Sequence, residues 1–345
     1  MAAKHVDEMP LLHAALDAAG LPESPPPGLV RIYDFLAEAE GLGQAVLAGL
    51  SQPKKKIPWQ ALFDVVGLQI FDYVCAQPEY LAARTEKNIL TSNIGEIVKF
   101  IGGSCQYIDL GKHGLASSRI LIEHLRPSIY APLDASITTL KDRCGLFSKL
   151  FPWLNICALH ADFEMPLQLP RFVGVLIRRK AAFLLGGAFA RFSPAEVPAL
   201  LGSLRALVGP AGRVLVSVDQ TMDREILQGA YNDQRGAMAA FNLNALRHLN
   251  QACRGDFQMS RFQHFAKYDA TEARLDMGLV SQYSQFANVA GKRIDFSSGE
   301  KILTASHYIH GADAFRAMAQ ESGLRVEKTW FDTHNLFAVH AMVAQ

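Results

Sequence analysis

A metal-binding or disulfide-forming arrangement of cysteine is missing from this 345-residue chain. The five cysteines, Cys75, Cys105, Cys144, Cys157 and Cys253, are odd in number and scattered, with no CxxC pair. Neither a disulfide framework nor a zinc site is indicated, no metal ligand is assigned, and the five read as small apolar core residues. A surplus of charge is missing too: 34 basic side chains meet 33 acidic ones. Such a balance leaves no electrostatic footprint for nucleic acid, and the three-residue run Lys54, Lys55, Lys56 suits a solvated loop better than a phosphate track. No uncharged apolar run reaches membrane-spanning length, and Asp7, Glu8 and Asp17 interrupt the N-terminal stretch. No membrane association is therefore expected, and the cytoplasm is the default compartment.

The length and ordinary composition suggest two globular domains. After a short amphipathic segment, the PESPPP joint at residues 22 to 27 stops any helix. From Arg31 to Leu50, and again from Trp59 to Val74, apolar residues recur at spacings of three and four, which predicts an all-helical opening. Near residue 105 the rhythm changes to short β-rich runs, CQYIDL, SIYAPLD, LNICAL, AAFLLGG and RVLVSVD, separated by helical stretches. That alternation predicts an α/β fold with a parallel, doubly wound sheet. Between residues 220 and 300 the pattern is helical and then mixed, long enough to join the N-terminal helices as a second, discontinuous, mainly helical domain. LRVEKTWF and NLFAVHAMVA, joined by a short turn at Asp332 to His334, predict an antiparallel hairpin at the sheet edge.

Three short segments follow one another in a telling order: PEYLAARTE at 78 to 86, AYNDQRGAMAAFNLN at 230 to 244 and GEKILT at 299 to 304. In these, and over most of the span from Trp59 to Val343, the chain resembles the bacterial histidine Nα-methyltransferases of ergothioneine biosynthesis and their relatives. The resemblance implies a class I methyltransferase Rossmann-like sheet, S-adenosylmethionine as cofactor, and a small amino-acid-like substrate methylated on its amine. It also implies boundaries: residues 1–87 as the N-terminal part of the substrate domain, 88–219 as the cofactor domain, 220–302 as a substrate-domain insertion, and 303–345 as the return to the cofactor domain. Oligomeric state is not implied.

In a doubly wound sheet the ligand lies at the carboxyl ends of the strands, so the residues just after each strand matter most. The first β-rich run ends in Asp109, Leu110, Gly111, Lys112, His113 and Gly114. The resemblance implies a glycine turn against the cofactor here, which assigns Asp109, Gly111 and Gly114 to it. Lys112 and His113 interrupt the family's GSG-type pattern, and Ser117 stands where its lysine aligns. Either Gly114 acts as the second glycine one position late, or the turn holds the cofactor differently. Asp134, 23 residues after Gly111, suits the acid that accepts from ribose hydroxyls, or caps a helix. Asp162 and Phe163 match the family's adenine-facing pair, with a helix cap as the alternative for Asp162. Gly186 leads a turn that either admits the methionine part or merely reverses the chain.

On the substrate side the family's tyrosines are kept at Tyr80 and Tyr231, read as catalytic groups that orient an amine; structural hydrogen bonding is the alternative. Other positions differ. On an ungapped alignment Phe63 replaces a tyrosine, Arg191 replaces an asparagine that holds the amino-acid head group, and Ala305 and His307 replace a glutamate and a serine that grip the imidazole. Loss of that glutamate argues against histidine as substrate. Arg191 suits a carboxylate or is simply exposed, and His307 is a hydrogen-bonding partner or structural. Three functions follow: an N-methyltransferase for another amine; an enzyme that cyclises S-adenosylmethionine itself; or a binding protein without catalysis.

Overall fold

The computed structural model describes residues 28–36, 41–111, 115–163, 167, 169–170 and 175–345. The N-terminal segment, the PESPPP joint, and Lys112, His113 and Gly114 of the glycine turn lie outside the described residues. Eight strands make one sheet: β1 (Val30–Asp34), β2 (Cys105–Asp109), β3 (Ile129–Asp134), β4 (Ile156–His160), β5 (Arg179–Leu184), β6 (Arg213–Asp219), β12 (Leu324–Phe331) and β13 (Phe337–Ala344). Their order is β1-β4-β3-β2-β5-β6-β13-β12, parallel except for β13, which runs antiparallel to both β6 and β12. Without β1 this is the class I methyltransferase order, with the terminal hairpin where the sequence puts it. Strands β2 and β3 are buried at every residue, as a sheet covered on both faces requires.

Helices α3 (Leu81–Ser92), α4 (Ile94–Ile101), α5 (Leu115–Leu125) and α6 (Ile137–Leu150) pack on one face around Tyr107, Tyr130 and Phe147. Helices α7 (Val197–Val208) and α10 (Ala312–Glu321) cover the other around Phe189 and Phe315. β3 follows β2 on one side, whereas β5, reached from β4, lies on its other side, so the strand order reverses at the carboxyl end of β2.

The opening is not all-helical. Val30–Asp34 is an edge strand paired with β4, and helix is confined to α1 (Leu42–Leu50) and α2 (Val65–Cys75), with a 3-10 turn at Trp59–Leu62. Val30, Ile32 and Tyr33 favour extended backbone, and the open edge of β4 supplies ladder partners that local helix spacing did not anticipate.

A separate apolar core unites α1, α2, α8 (Arg224–Tyr231) and α9 (Ala237–Ala252) with strands rather than with further helices. Strands β7 (Phe262–Asp269), β8 (Arg274–Ser281) and β11 (Lys301–Tyr308) form an antiparallel sheet in the order β11-β8-β7, and β9 (Gln285–Val289) pairs with β10 (Lys292–Phe296). The mainly helical expectation fails after Cys253, where one half-buried face gives the strands a two-residue rhythm that bulges and polar positions obscure. β11 also straddles the boundary expected at residue 302. Its outer edge takes the N-terminal part of the chain: the Leu303 amide donates to the Lys55 carbonyl at 2.9 Å, and the Ile57 amide donates to the Leu303 carbonyl at 2.7 Å.

The most distinctive sequence segment is scaffold for this second core. Both oxygens of buried Asp233 accept amides, from Ala237 at 2.8 Å and Met238 at 2.7 Å, closing the start of α9. Asn242, wholly buried, donates to the Gly278 carbonyl at 2.7 Å and accepts from Thr304 Oγ1 at 2.6 Å. One side chain thereby ties α9 to β8 and β11, which places the far wall of the cleft described next.

Candidate active site

A cleft of about 830 Å³ opens between the carboxyl ends of the large sheet and the second core. It brings together Phe63, Tyr80, Phe163, Gly186, Arg191, Tyr231, Ala305 and His307, residues drawn from both halves of the sequence. The remaining wall is apolar, with Met238, Phe241, Leu275 and Met277 from the second core and Leu110 from the end of β2.

The cofactor-side residues divide into those that face the cleft and those that brace it. Gly186 and Gly187 both adopt positive φ, 73° and 72°, in a turn that only glycine enters without strain. A Cβ at Gly187 would meet no protein atom within 4 Å, so the turn leaves room at the cleft that a ligand can use. Phe163 lines the cleft beside it, while Asp162 is half-buried just before it and is not among the lining residues. Asp134 ends β3 fully buried, its Oδ1 accepting the Ser136 amide at 2.8 Å. Gly114 lies outside the described residues.

Asp109 and Gly111, both expected at the cofactor, are engaged by the protein itself. Asp109 Oδ2 accepts from Ser118 Oγ at 2.6 Å, Tyr130 Oη at 2.7 Å and Arg143 Nη1 at 3.4 Å, and its Oδ1 accepts the Gly111 amide at 3.2 Å. Protein donors thus take up the carboxylate, which holds the turn in shape from below. Gly111 is small for a reason internal to the protein: a Cβ there would stand 2.8 Å from the carbonyl oxygen of Leu185, just past the end of β5.

Sequence reading missed the partners of this network. Arg143, buried within α6, also donates to the Gly111 carbonyl at 2.8 Å. Burial opposes its charge, but Tyr130 and Asp109 more than compensate and raise its pKa above the ordinary arginine value. Glu86, the last residue of PEYLAARTE, accepts from Ser117 Oγ and from the Gly186 amide, both at 2.7 Å. Burial raises its carboxyl pKa, with the hydrogen bonds from Ser117 and Gly186 acting against the rise. Ser117 thereby gives Glu86 a neutral hydroxyl donor.

On the acceptor side, Arg191 lies over the Trp59 ring with its guanidinium carbon 4.0 Å from the centroid, and 4.9 Å from the centroids of Phe163 and Phe192. The aromatic rings thus hold the guanidinium plane in place at the cleft. The Tyr80 and Tyr231 rings meet edge to face at 6.1 Å. Burial, reinforced by the other tyrosine, pushes the Tyr80 phenol well above its usual pKa; burial and then Asp219 do the same for Tyr231. Both phenols stay protonated at ordinary pH. Tyr231 Oη lies 2.6 Å from His307 Nδ1, and His307 Nε2 lies 3.0 Å from Asp219 Oδ2. Asp219, the last residue of β6, was overlooked although it ends a β-rich run just as Asp134 does. Ser306 turns its hydroxyl to Asp276 Oδ1 at 2.6 Å.

Comparison with known proteins puts these features in a family context. The family described as histidine-specific, S-adenosylmethionine-dependent methyltransferase matches residues 42–344. Histidine N-alpha-methyltransferase of Mycolicibacterium smegmatis is 30% identical over 311 residues, covering 88% of this chain and 95% of the relative. The enzyme of the same name from Mycobacterium tuberculosis is 27% identical over 313 residues, covering 88% and 96%. The N-methyltransferase imqF of Aspergillus flavus is 24% identical over 303 residues, covering 83% and 80%.

Proposed function

This chain belongs to the histidine-specific, S-adenosylmethionine-dependent methyltransferase family, and from that premise we propose that it methylates the amine of an amino-acid-like molecule whose side chain is apolar, not histidine. The observation that carries this is the cleft wall at β11: Ala305 offers no hydrogen bond, Ser306 is turned to Asp276, and Met238, Phe241, Leu275 and Met277 complete an apolar surface. An imidazole N–H placed there loses its partner, which costs far more selectivity than a mismatch of one methylene.

The residues present fit S-adenosylmethionine. Gly186 and Gly187 leave backbone open to the methionine part, Asp134 ends β3 where a ribose acceptor is needed, and Phe163 offers a ring to the base. Tyr80 and Tyr231 give the cleft electron-rich rings that suit a cation. When bound, S-adenosylmethionine supplies a methyl group already activated by the sulfonium charge. The chain's own work is then alignment and exclusion of water. Arg191 anchors the acceptor carboxylate, Tyr80 and Tyr231 hold the amine with its lone pair toward the methyl, and the apolar wall closes around the side chain.

One observation favours a second reading. Beyond Arg191 and the tyrosines, the apolar wall gives a separate amino acid few polar anchors, which suits a substrate that brings its own nucleophile. In that reading the amine of S-adenosylmethionine forms a bond to its own γ-carbon as the carbon–sulfur bond breaks, methylthioadenosine leaves, and the amine loses a proton. Mass spectrometry of the nucleoside products, with and without a pool of apolar amino acids, separates the two. S-adenosylhomocysteine that appears only with the pool is expected; methylthioadenosine without any acceptor selects the second reading, and efficient methylation of histidine overturns the first.

A further inference from the structure

Tyr231, His307 and Asp219 come from three different elements, α8, β11 and β6, yet form one line of hydrogen bonds. Asp219 is itself fixed, its Oδ1 accepting the Thr221 amide at 2.9 Å and its carbonyl accepting the His310 amide at 3.3 Å. The line also joins two cavities. His307 faces the acceptor cleft, Asp219 and Thr221 face a second cleft of about 400 Å³, and Tyr80 and Tyr231 border both. A tyrosine serving only to orient an amine needs no histidine–carboxylate pair behind it.

We propose that Asp219, His307 and Tyr231 form a proton path that neutralises the attacking amine. The proposal rests on the reading that an amine is the nucleophile, and it holds for either form of that reading. An amine arrives mostly as an ammonium, which has no lone pair to attack with. In the step, an ammonium N–H bond breaks and its proton goes to the Tyr231 oxygen while the Tyr231 proton passes to His307 Nδ1; nitrogen keeps the electron pair. Asp219 stabilises the imidazolium through the proton on Nε2, and the imidazolium gives one proton to water between turnovers. The groups around His307 suit this direction: Asp219 is the adjacent anion, Tyr231 and Tyr80 are neutral phenols, and the cations nearby are Arg191 in the same cleft and His310 when protonated. Tyr231 is the catalytic residue here; His307 and Asp219 act through it as positioning residues.

The path requires a bare Nδ1 and a proton on Nε2, which nitrogen-15 NMR of histidine-labelled, ligand-free protein reads without any turnover. It also predicts pH–rate profiles. His307→Gln should lower kcat at neutral pH by about 100-fold, within the usual range for a lost proton acceptor, with a much smaller change in KM. That deficit should shrink as pH rises and the amine loses its proton unaided. Asp219→Asn should give a deficit of the same form, and it carries the test if His307→Gln does not fold. A neutral ring bearing its proton on Nδ1 overturns the proposal whatever the activity, because such a ring cannot take the Tyr231 proton. A kcat deficit equal at every pH overturns it as well, since that is the mark of a merely structural role. If the wild-type protein consumes no S-adenosylmethionine, the amine reading fails while the NMR result still decides the hydrogen-bond direction.

Discussion

The two walls of the cleft are built by opposite means. Behind the cofactor wall, Asp109, Arg143, Tyr130, Ser118, Glu86 and Ser117 form a buried polar network whose carboxylates all accept from protein donors. The acceptor wall is mostly rings and methionines, held from behind by Asn242 and Asp233, with Arg191 and the Tyr231–His307 pair as its polar contacts. A network of buried charge admits few substitutions, because removal of one partner strands the other. An apolar wall tolerates exchange if volume is kept. The difference suits a cleft whose buried polar support is fixed while the residues facing it, among them Phe63, Arg191, Ala305 and His307, have more freedom to vary.

Removal of Asp109 is the strongest test of that contrast. Asp109→Ala removes a buried carboxylate to which Arg143, Tyr130 and Ser118 all donate, and we expect a loss of about 3–5 kcal/mol, the usual cost of breaking a buried charged network from one side. Urea unfolding of the purified variant checks it. A loss of under about 1 kcal/mol would mean that water reaches the network and that the two walls differ less than their contacts suggest.

Acid sensitivity tests whether burial on the sheet side extends beyond the charged network. His340 of β13 is wholly buried, stacked on Phe315 at 4.3 Å, and burial lowers its pKa to about 3. In the unfolded chain the same ring titrates near pH 6.5. Its neutral form therefore contributes stability that is fully present above about pH 6.5 and is lost as the pH falls toward the folded value, at about 1.4 kcal/mol per pH unit. Between pH 6.5 and 5 that amounts to about 2 kcal/mol. His340→Gln should lessen the fall in thermal midpoint over this window. Part of the fall should remain, because burial also lowers the pKa of His264 and His310. An unchanged acid response in the variant would show that His340 is hydrated.

How much of this was legible in the sequence also follows the contrast. The strands β2 to β6 and β13 stood out because largely buried strands read as continuous apolar runs, and β12 stood out by its closeness to β13 across a short turn. β1 did not, since its exposed edge position leaves Val30 and Ile32 without a core-facing rhythm. AYND and AFNLN signalled the family, yet Asp233 and Asn242 turn out to be scaffold, so the clearest motif marked the support of the acceptor wall as well as its Tyr231. The polar network was invisible because its members are brought together only by packing: Arg143 lies 34 residues from Asp109, and Glu86 lies 31 residues from Ser117. No local pattern distinguishes such a serine or arginine from a solvated one.

The smallest expected effect on stability is the most informative about specificity. Met277 is buried on β8 and lines the acceptor wall opposite the sheet. Met277→Leu keeps the volume nearly constant, so it should cost less than about 1.5 kcal/mol in urea unfolding. Leucine is branched and stiffer than methionine, however, so the wall loses its capacity to adapt to different acceptors. Preference among apolar acceptors should then shift by about 10-fold, the scale of one methylene in a hydrophobic pocket, while the KM for S-adenosylmethionine stays constant. Competition between two acceptors of different side-chain length in a single reaction, read by mass spectrometry, measures that shift directly. An unaltered product ratio would mean that the acceptor side chain does not reach β8, and the specificity wall would have to be sought nearer Phe63 and Phe241.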